Sequence, residues 1–317
     1  MDGIANAWMW MGFGVFVVIA LIIDLVALER KGAHAVGVRE ALAWSALWIS
    51  LALIFNALLW CWLDQSAGRE IANQKATEFL TGYLIEKSLS VDNIFVFLLL
   101  FGAFAVPPAL QKRALIIGVI GAALLRIVMI LIGAWLIAQF HWILYLFGAF
   151  LLFTGIRMGW TNDEERDISN NPILRWMRRH LRISDSFRGT KLWFRQDGKR
   201  VFTTLFLVVA LIAITDVMFA VDSIPAIFAI TTDPFIVMTS NIFAILGLRA
   251  LYFLLADMAS RFHLLKYGLA GVLCFIGIKM LIVEWVKIPV SVSLGVVGIT
   301  LAAAVAASLL SRQGARP

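Results

Sequence analysis

The sequence predicts an all-α, polytopic membrane protein of about nine transmembrane helices, with an inverted repeat of three helices, the third to fifth against the sixth to eighth. Three observations predict it. The mean hydropathy is +0.90, with 62% hydrophobic and 15% charged residues, outside the range of domains that fold in water. Apolar stretches long enough to cross a hydrocarbon core, which takes about 20 helical residues, recur along the chain. Short motifs repeat in the same order in two parts of it.

The stretches are Trp8 to Leu28, Ala41 to Leu63, Phe79 to Val106, Ala114 to Ala138, Trp142 to Trp160, Val201 to Ile230, Phe235 to Ala256, Leu264 to Val283 and Ile288 to Leu310. Residues 114–160 as a single helix would extend about 70 Å, more than twice the hydrocarbon core, so two helices are expected there. The first stretch is expected to remain as a helix, because Asp2 rather than a basic region precedes it and Asp24 lies within it. Cys61 and Cys274 are isolated, without the spacing of a zinc, haem or CxxC site, and read as packed thiols.

The net charge of +7 is distributed as a topology signal rather than as a nucleic-acid surface. Arg30, Lys31, Arg39, Lys112, Arg113, the segment from Arg157 to Arg200, Arg261, Lys266, Arg312 and Arg316 fall on one side of the predicted helices. Only Arg69, Lys75 and Lys287 fall on the other. Positive loops mark the cytoplasm, so the N-terminus is expected outside and the C-terminus inside. The chain reads as one transmembrane domain over 1–317, with repeats at 79–160 and 201–283 and a cytoplasmic basic loop at 161–200. In that loop Leu174, Met177 and Leu181 recur at helical spacing beside Arg175, Arg178, Arg179 and Arg182, as in an interfacial amphipathic helix. Asp197-Gly198 between short alternating stretches predicts a hairpin.

Three matches carry the repeat. Val91-Asp92-Asn93-Ile94 pairs with Val221-Asp222-Ser223-Ile224, each preceded by an acid six positions before its aspartate, Glu86 or Asp216. Leu125-Arg126 pairs with Leu248-Arg249, and Phe153 to Met158 with Phe275 to Met280. The offsets are 130, 123 and 122 residues. Because each copy holds an odd number of helices, the copies cross the membrane in opposite directions, an arrangement found in secondary transporters with a midplane site.

Charges inside the bilayer single out the candidate site. Each costs roughly 2.5 to 3.5 kcal/mol near the centre, yet Glu86, Lys87 and Asp92 lie in the third helix, Asp216 and Asp222 in the sixth, and Arg126, Arg249 and Lys279 in the fourth, seventh and eighth. Glu86 and Asp92 point about 120° apart, whereas Glu86 with Asn93, Thr215 with Asp222, and Asp216 with Ser223 align at a spacing of seven. Each helix thus presents a broad oxygen-bearing face. Pro225 adds a carbonyl, at Val221, that it cannot satisfy. Glu86, Asp92, Asn93, Asp216, Asp222 and Ser223 are the expected metal ligands, and oxygen donors of this kind suit Mg²⁺, Ca²⁺ or Mn²⁺. Lys87, Arg126, Arg249 and Lys279 are the expected charge-compensating or coupling groups. Asp64, Glu70, Glu78, Asp233 and Glu284 read as solvated outer-loop acids.

The stretches Glu86-Lys87-Ser88-Leu89-Ser90-Val91-Asp92-Asn93 and Phe219-Ala220-Val221-Asp222-Ser223-Ile224-Pro225-Ala226 resemble the two signature stretches of the TerC family, and the whole chain resembles its Alx branch. The resemblance implies a multi-pass protein of the bacterial inner membrane associated with manganese export, alkaline-pH response and tellurium resistance, and carries Glu86, Asp92, Asp216 and Asp222 over as functional acids. Many members have a glutamate where this chain has Ala213, one helical turn before Asp216, so one expected oxygen ligand is missing here. The expected function is that of a secondary transporter, not an enzyme, exporting manganese or a related hard divalent cation without a tightly bound cofactor. Export of a divalent ion against the membrane potential costs about 4.6 kcal/mol per 100 mV, and no GxxxxGKS/T nucleotide loop occurs, so protons are the expected coupling partner. The alternative is a membrane-bound redox modulator or stress factor acting on metal state indirectly.

Overall fold

Without water to satisfy backbone groups, long apolar stretches fold as helices. The computed structural model describes residues 4–29, 38–140, 142–160, 172–184, 186–196, 198–256 and 264–311; the side chains of Asp24, Asp92 and Arg249 lie outside the described residues. The helices are α1 (Ala7–Glu29), α2 (Val38–Ser66), α3 (Arg69–Ala103), α4 (Pro108–Gln139), α5 (Ile143–Trp160), α6 (Pro172–His180), α7 (Thr204–Phe228), α8 (Pro234–Leu246), α9 (Leu248–Ala256), α10 (Leu265–Leu281) and α11 (Val290–Ser311). A hairpin, β1 (Trp193–Gln196) against β2 (Lys199–Phe202), is antiparallel with Trp193 opposite Phe202. Its turn places Gly198 at φ 73°, in the left-handed region that glycine adopts without strain.

Five helices, α2, α4, α5, α7 and α11, are long and apolar enough to cross a membrane among the described residues. Their outer faces carry large apolar side chains such as Leu58 (64% exposed) and Ile299 (73%), a distribution suited to lipid rather than water. Helix α3 is long but interrupted by charge. The expected single helix from Phe235 to Ala256 is broken at Gly247 (φ −87°, ψ 0°) into α8 and α9.

Two acids expected in solvent are buried instead. Helix α3 begins at Arg69, ten residues before the apolar stretch, so Glu78 sits inside it, where it accepts hydrogen bonds from Lys75 Nζ and Gln74 Nε2, both at 2.8 Å. Asp233 caps α8, accepting from the backbone N–H of Phe235 (3.0 Å) and Ile236 (3.3 Å) and of Ile4 (2.9 Å). Side-chain and backbone donors replace the water that each carboxylate gives up, local ones for Glu78 and, for Asp233, the first N–H groups of α8 with the distant Ile4.

An aromatic cluster joins the N-terminal helices to α8: Phe55 lies 4.9 Å from Phe243, 5.3 Å from Phe79 and 6.0 Å from Phe13 between ring centroids. Helix α6 buries Leu174 and Met177 and exposes its arginines, as its spacing predicts. Helices α5 and α10 meet through glycines. As contacts advance along α5 from Gly148 to Gly159 they retreat along α10 from Met280 to Ala270, so the two run antiparallel. A Cβ on Gly277 would lie 2.7 Å from Leu152 N and 2.8 Å from Gly148 O, backbone atoms that cannot yield. Gly277→Ala should therefore destabilise by about 1–3 kcal/mol through overpacking, seen as a lower melting temperature in detergent. Gly121→Ala, which meets nothing within 4 Å, should leave that temperature unchanged or raise it.

Candidate functional site

Four helices converge on one guanidinium. Arg126, from the middle of α4, is 1% exposed and forms an ion pair through Nη1 with Glu86 of α3. Its Nε and Nη2 each lie 3.3 Å from the two carboxylate oxygens of Asp216 on α7, a fork-on-fork pairing that arginine alone provides. Nη1 also donates to Ser223 Oγ (3.5 Å) and to Asn241 Oδ1 of α8 (3.4 Å), and Asn241 Nδ2 donates to Glu86 Oε2 at 3.1 Å. Glu86, Asp216, Ser223 and Asn241 are each no more than 1% exposed. Small residues let the helices approach: a Cβ on Gly82 would meet Ser240 Oγ at 3.0 Å, and one on Gly118 would meet Ile212 at 2.7 Å.

The seven-residue spacing of Asp216 and Ser223 does bring both to one partner. Two carboxylates face one guanidinium, so this cluster holds one acidic group more than basic ones in a medium that penalises charge heavily. Such a set binds an additional cation or proton more readily than a balanced pair would.

The other expected residues are dispersed. Asn93 is buried, with its Oδ1 making no hydrogen bond among the described residues. Asp222 is half-buried and accepts from Thr154 Oγ1 of α5 at 3.5 Å. Lys279 donates to Ser293 of α11 at 2.9 Å. Among the described residues no three His, Cys, Asp or Glu side chains are grouped to hold a metal; Arg126 stands between the two acids, and the side chains of Asp92, Arg249 and Asp24 lie outside the described residues.

Lys87 turns away from its neighbour Glu86. Its Nζ donates to Ala244 O at 3.2 Å, in the last turn of α8, where a positive charge complements the unpaired carbonyls and the helix dipole. The break makes room for it: a Cβ on Gly247 would lie 2.5 Å from that Nζ. A lysine thus holds the end of the short helix whose Asn241 reaches the acid cluster. Asn241 itself carries a faint sequence signal, as part of a polar Thr-Ser-Asn triplet inside an apolar run.

Arg126→Met should leave two buried carboxylates without their partner and cost about 3–5 kcal/mol of stability. Glu86→Gln in the same chain should recover part of that loss. Thermal unfolding of the two variants in detergent measures both effects.

The family model described as integral membrane protein TerC family matches residues 71–316. A protein of Escherichia coli (strain K12), described as a candidate membrane-bound redox modulator named Alx, is 57% identical over 297 residues, covering 94% of this chain and 92% of that one. The Salmonella typhi protein of the same description is 56% identical over the same coverage. An uncharacterized membrane protein of Myxococcus xanthus is 44% identical over 98% of this chain and 95% of its own. No solved structure matches. The chain is an integral membrane protein and belongs to the TerC family.

Proposed function

We propose that this protein is a secondary transporter that exports Mn²⁺, or a related hard divalent cation, from the cytoplasm in exchange for protons. The observation that carries this reading is the buried cluster in which Glu86 and Asp216, from two helices, share the single guanidinium of Arg126. A divalent cation entering there competes with Arg126 for the carboxylates, and protonation of the same carboxylates releases it. Asp92, Asn93, Asp222 and Ser223 are the remaining ligands in this reading, and Lys87, Arg249 and Lys279 balance charge as the ion enters and leaves. The protein sits in the bacterial inner membrane with its N-terminus outside and its C-terminus in the cytoplasm.

Nine crossings with an inverted repeat are part of the same proposal, and contacts support it. Gly155 of α5 approaches Ala270 O of α10, and Gly277 approaches Gly148 O. Advancing Gly148 and Gly155 by the sequence offset of 122 gives Ala270 and Gly277, so one contact maps onto the other, as two-fold symmetry requires. The contact of Gly82 with Ser240 likewise corresponds, within one residue, to that of Ile212 with Gly118.

The description of the relatives as redox modulators favours a second reading, an indirect effect through thiol chemistry. Cys61 and Cys274 are both free, on α2 and α10. Replacing both by serine should leave Mn²⁺ flux intact under the transport reading and abolish function under the redox one.

Reconstituted in liposomes, the protein should drive Mn²⁺ flux that follows an imposed pH gradient, with Glu86→Gln and Asp216→Asn each slowing it on the order of tenfold or more. Flux that ignores the gradient would exclude proton coupling.

A further inference from the structure

Residues 181–203 lead into α7 and hold, by sequence, six lysines and arginines against Asp185 and Asp197. This basic unit is tied to the helix. Thr203, 0% exposed, caps α7 by accepting from Phe206 N (3.3 Å) and donates to Lys191 O (2.8 Å), while Thr204 Oγ1 donates to Ser184 O at 3.0 Å. The Phe202 ring lies 4.4 Å from that of Phe206, in the first turn. Helix α7 is apolar enough to cross the membrane and has 25 residues, about 37 Å against a hydrocarbon core of about 30 Å. The hairpin that runs into it therefore begins at the level of the lipid headgroups.

Partners across a hairpin share a face, and the face alternates along each strand. The register sets Trp193 opposite Phe202 and Arg195 opposite Arg200, so one face presents a tryptophan and, two residues further from α7, a pair of arginines. Cβ atoms placed in this way are about 4.5–5.5 Å apart, where like charges weaken the pairing of strands. Both arginines are exposed, and neither forms an ion pair among the described residues. Arg200 lies over the half-exposed Trp193 ring at 5.2 Å. Charges that only guard a sheet edge have no need to face one another.

Two guanidiniums at that separation can donate together to one phosphate, whose oxygens match their forked donors. A tryptophan beside them suits the boundary between headgroups and hydrocarbon. Arg200 is three residues from the cap of α7, no more than about 11 Å along the chain, so the phosphates of the bilayer are within its reach. We infer that the face formed by Trp193, Arg195 and Arg200 binds the headgroup of an anionic phospholipid, with both guanidiniums on its phosphate and Trp193 at the boundary with the acyl chains. A lipid with a quaternary amine beside its phosphate already carries a neutralising cation there, and the site selects against it. This site is independent of the transport reading.

Photolabelling of the full-length protein in phosphatidylcholine nanodiscs tests the site. The probe is phosphatidylglycerol with a diazirine in its headgroup, the reference is phosphatidylcholine with the same diazirine, and labelled residues are read by peptide mass spectrometry. Labelling of residues 193–202 by the probe should exceed the reference about 25-fold, roughly fivefold for each of the two charges. Arg195→Gln with Arg200→Gln should bring it down to the reference. Arg179→Gln with Lys199→Gln, which removes equal charge from α6 and from the other face of the hairpin, should leave most of the preference. Equal labelling by the two lipids would overturn the proposal, and so would equal losses in the two variants, because the overall charge of the unit would then account for them. Melting temperature adds a test of sign. In phosphatidylcholine alone the variant without Arg195 and Arg200 should match or exceed the wild type, since a like-charge pair is gone, and phosphatidylglycerol should raise the wild type alone. A variant less stable than the wild type without anionic lipid would overturn the proposal, since the arginines would then serve the fold itself.

Discussion

A guanidinium enclosed by two carboxylates deep among apolar helices is the constraint on which this structure turns. Neither Glu86 nor Asp216 is tolerable there alone, and Arg126 is tolerable only because both are present. The three side chains come from α3, α4 and α7, so the need to keep them together fixes the relative position of those helices. Asn241 adds α8 to the set by using both ends of its amide, donating to Glu86 and accepting from Arg126. The cost of separating any member is the cost of exposing a charge to hydrocarbon.

The packing around the cluster serves close approach. Gly82 and Gly118 allow α3 to reach α8 and α4 to reach α7, and glycine contacts hold α5 against α10. The break at Gly247 ends α8 where the Ala244 carbonyl meets Lys87. Discontinuous helices are tolerated at membrane depth where protein covers the freed backbone groups, and here a lysine does so within one turn of the asparagine that serves the acids.

Much of this was legible in the sequence because the bilayer makes charge conspicuous. Glu86, Asp216 and Arg126 stand out in apolar runs, and the spacing of Asp216 and Ser223 predicted their shared face. The pairing itself was not legible. Which arginine meets which acid depends on helix contacts between residues far apart in the sequence, 86 with 126 and 126 with 216, and periodicity does not encode them. Glu78 and Asp233 looked like loop acids because they flank apolar runs; their local donors, Lys75, Gln74 and the first N–H groups of α8, are what bury them. Gly247 read as one more glycine in a continuous helix, since the lysine that exploits its missing side chain lies 160 residues earlier.

The central claim is that the acid cluster exchanges its arginine for a divalent cation. Anomalous scattering from crystals soaked in Mn²⁺ tests it most directly. The account predicts an anomalous peak within coordination distance of Glu86 and Asp216, with the Arg126 guanidinium withdrawn from at least one of them. Crystals that show no peak there, with Arg126 still clamped between both carboxylates at saturating Mn²⁺, would contradict it.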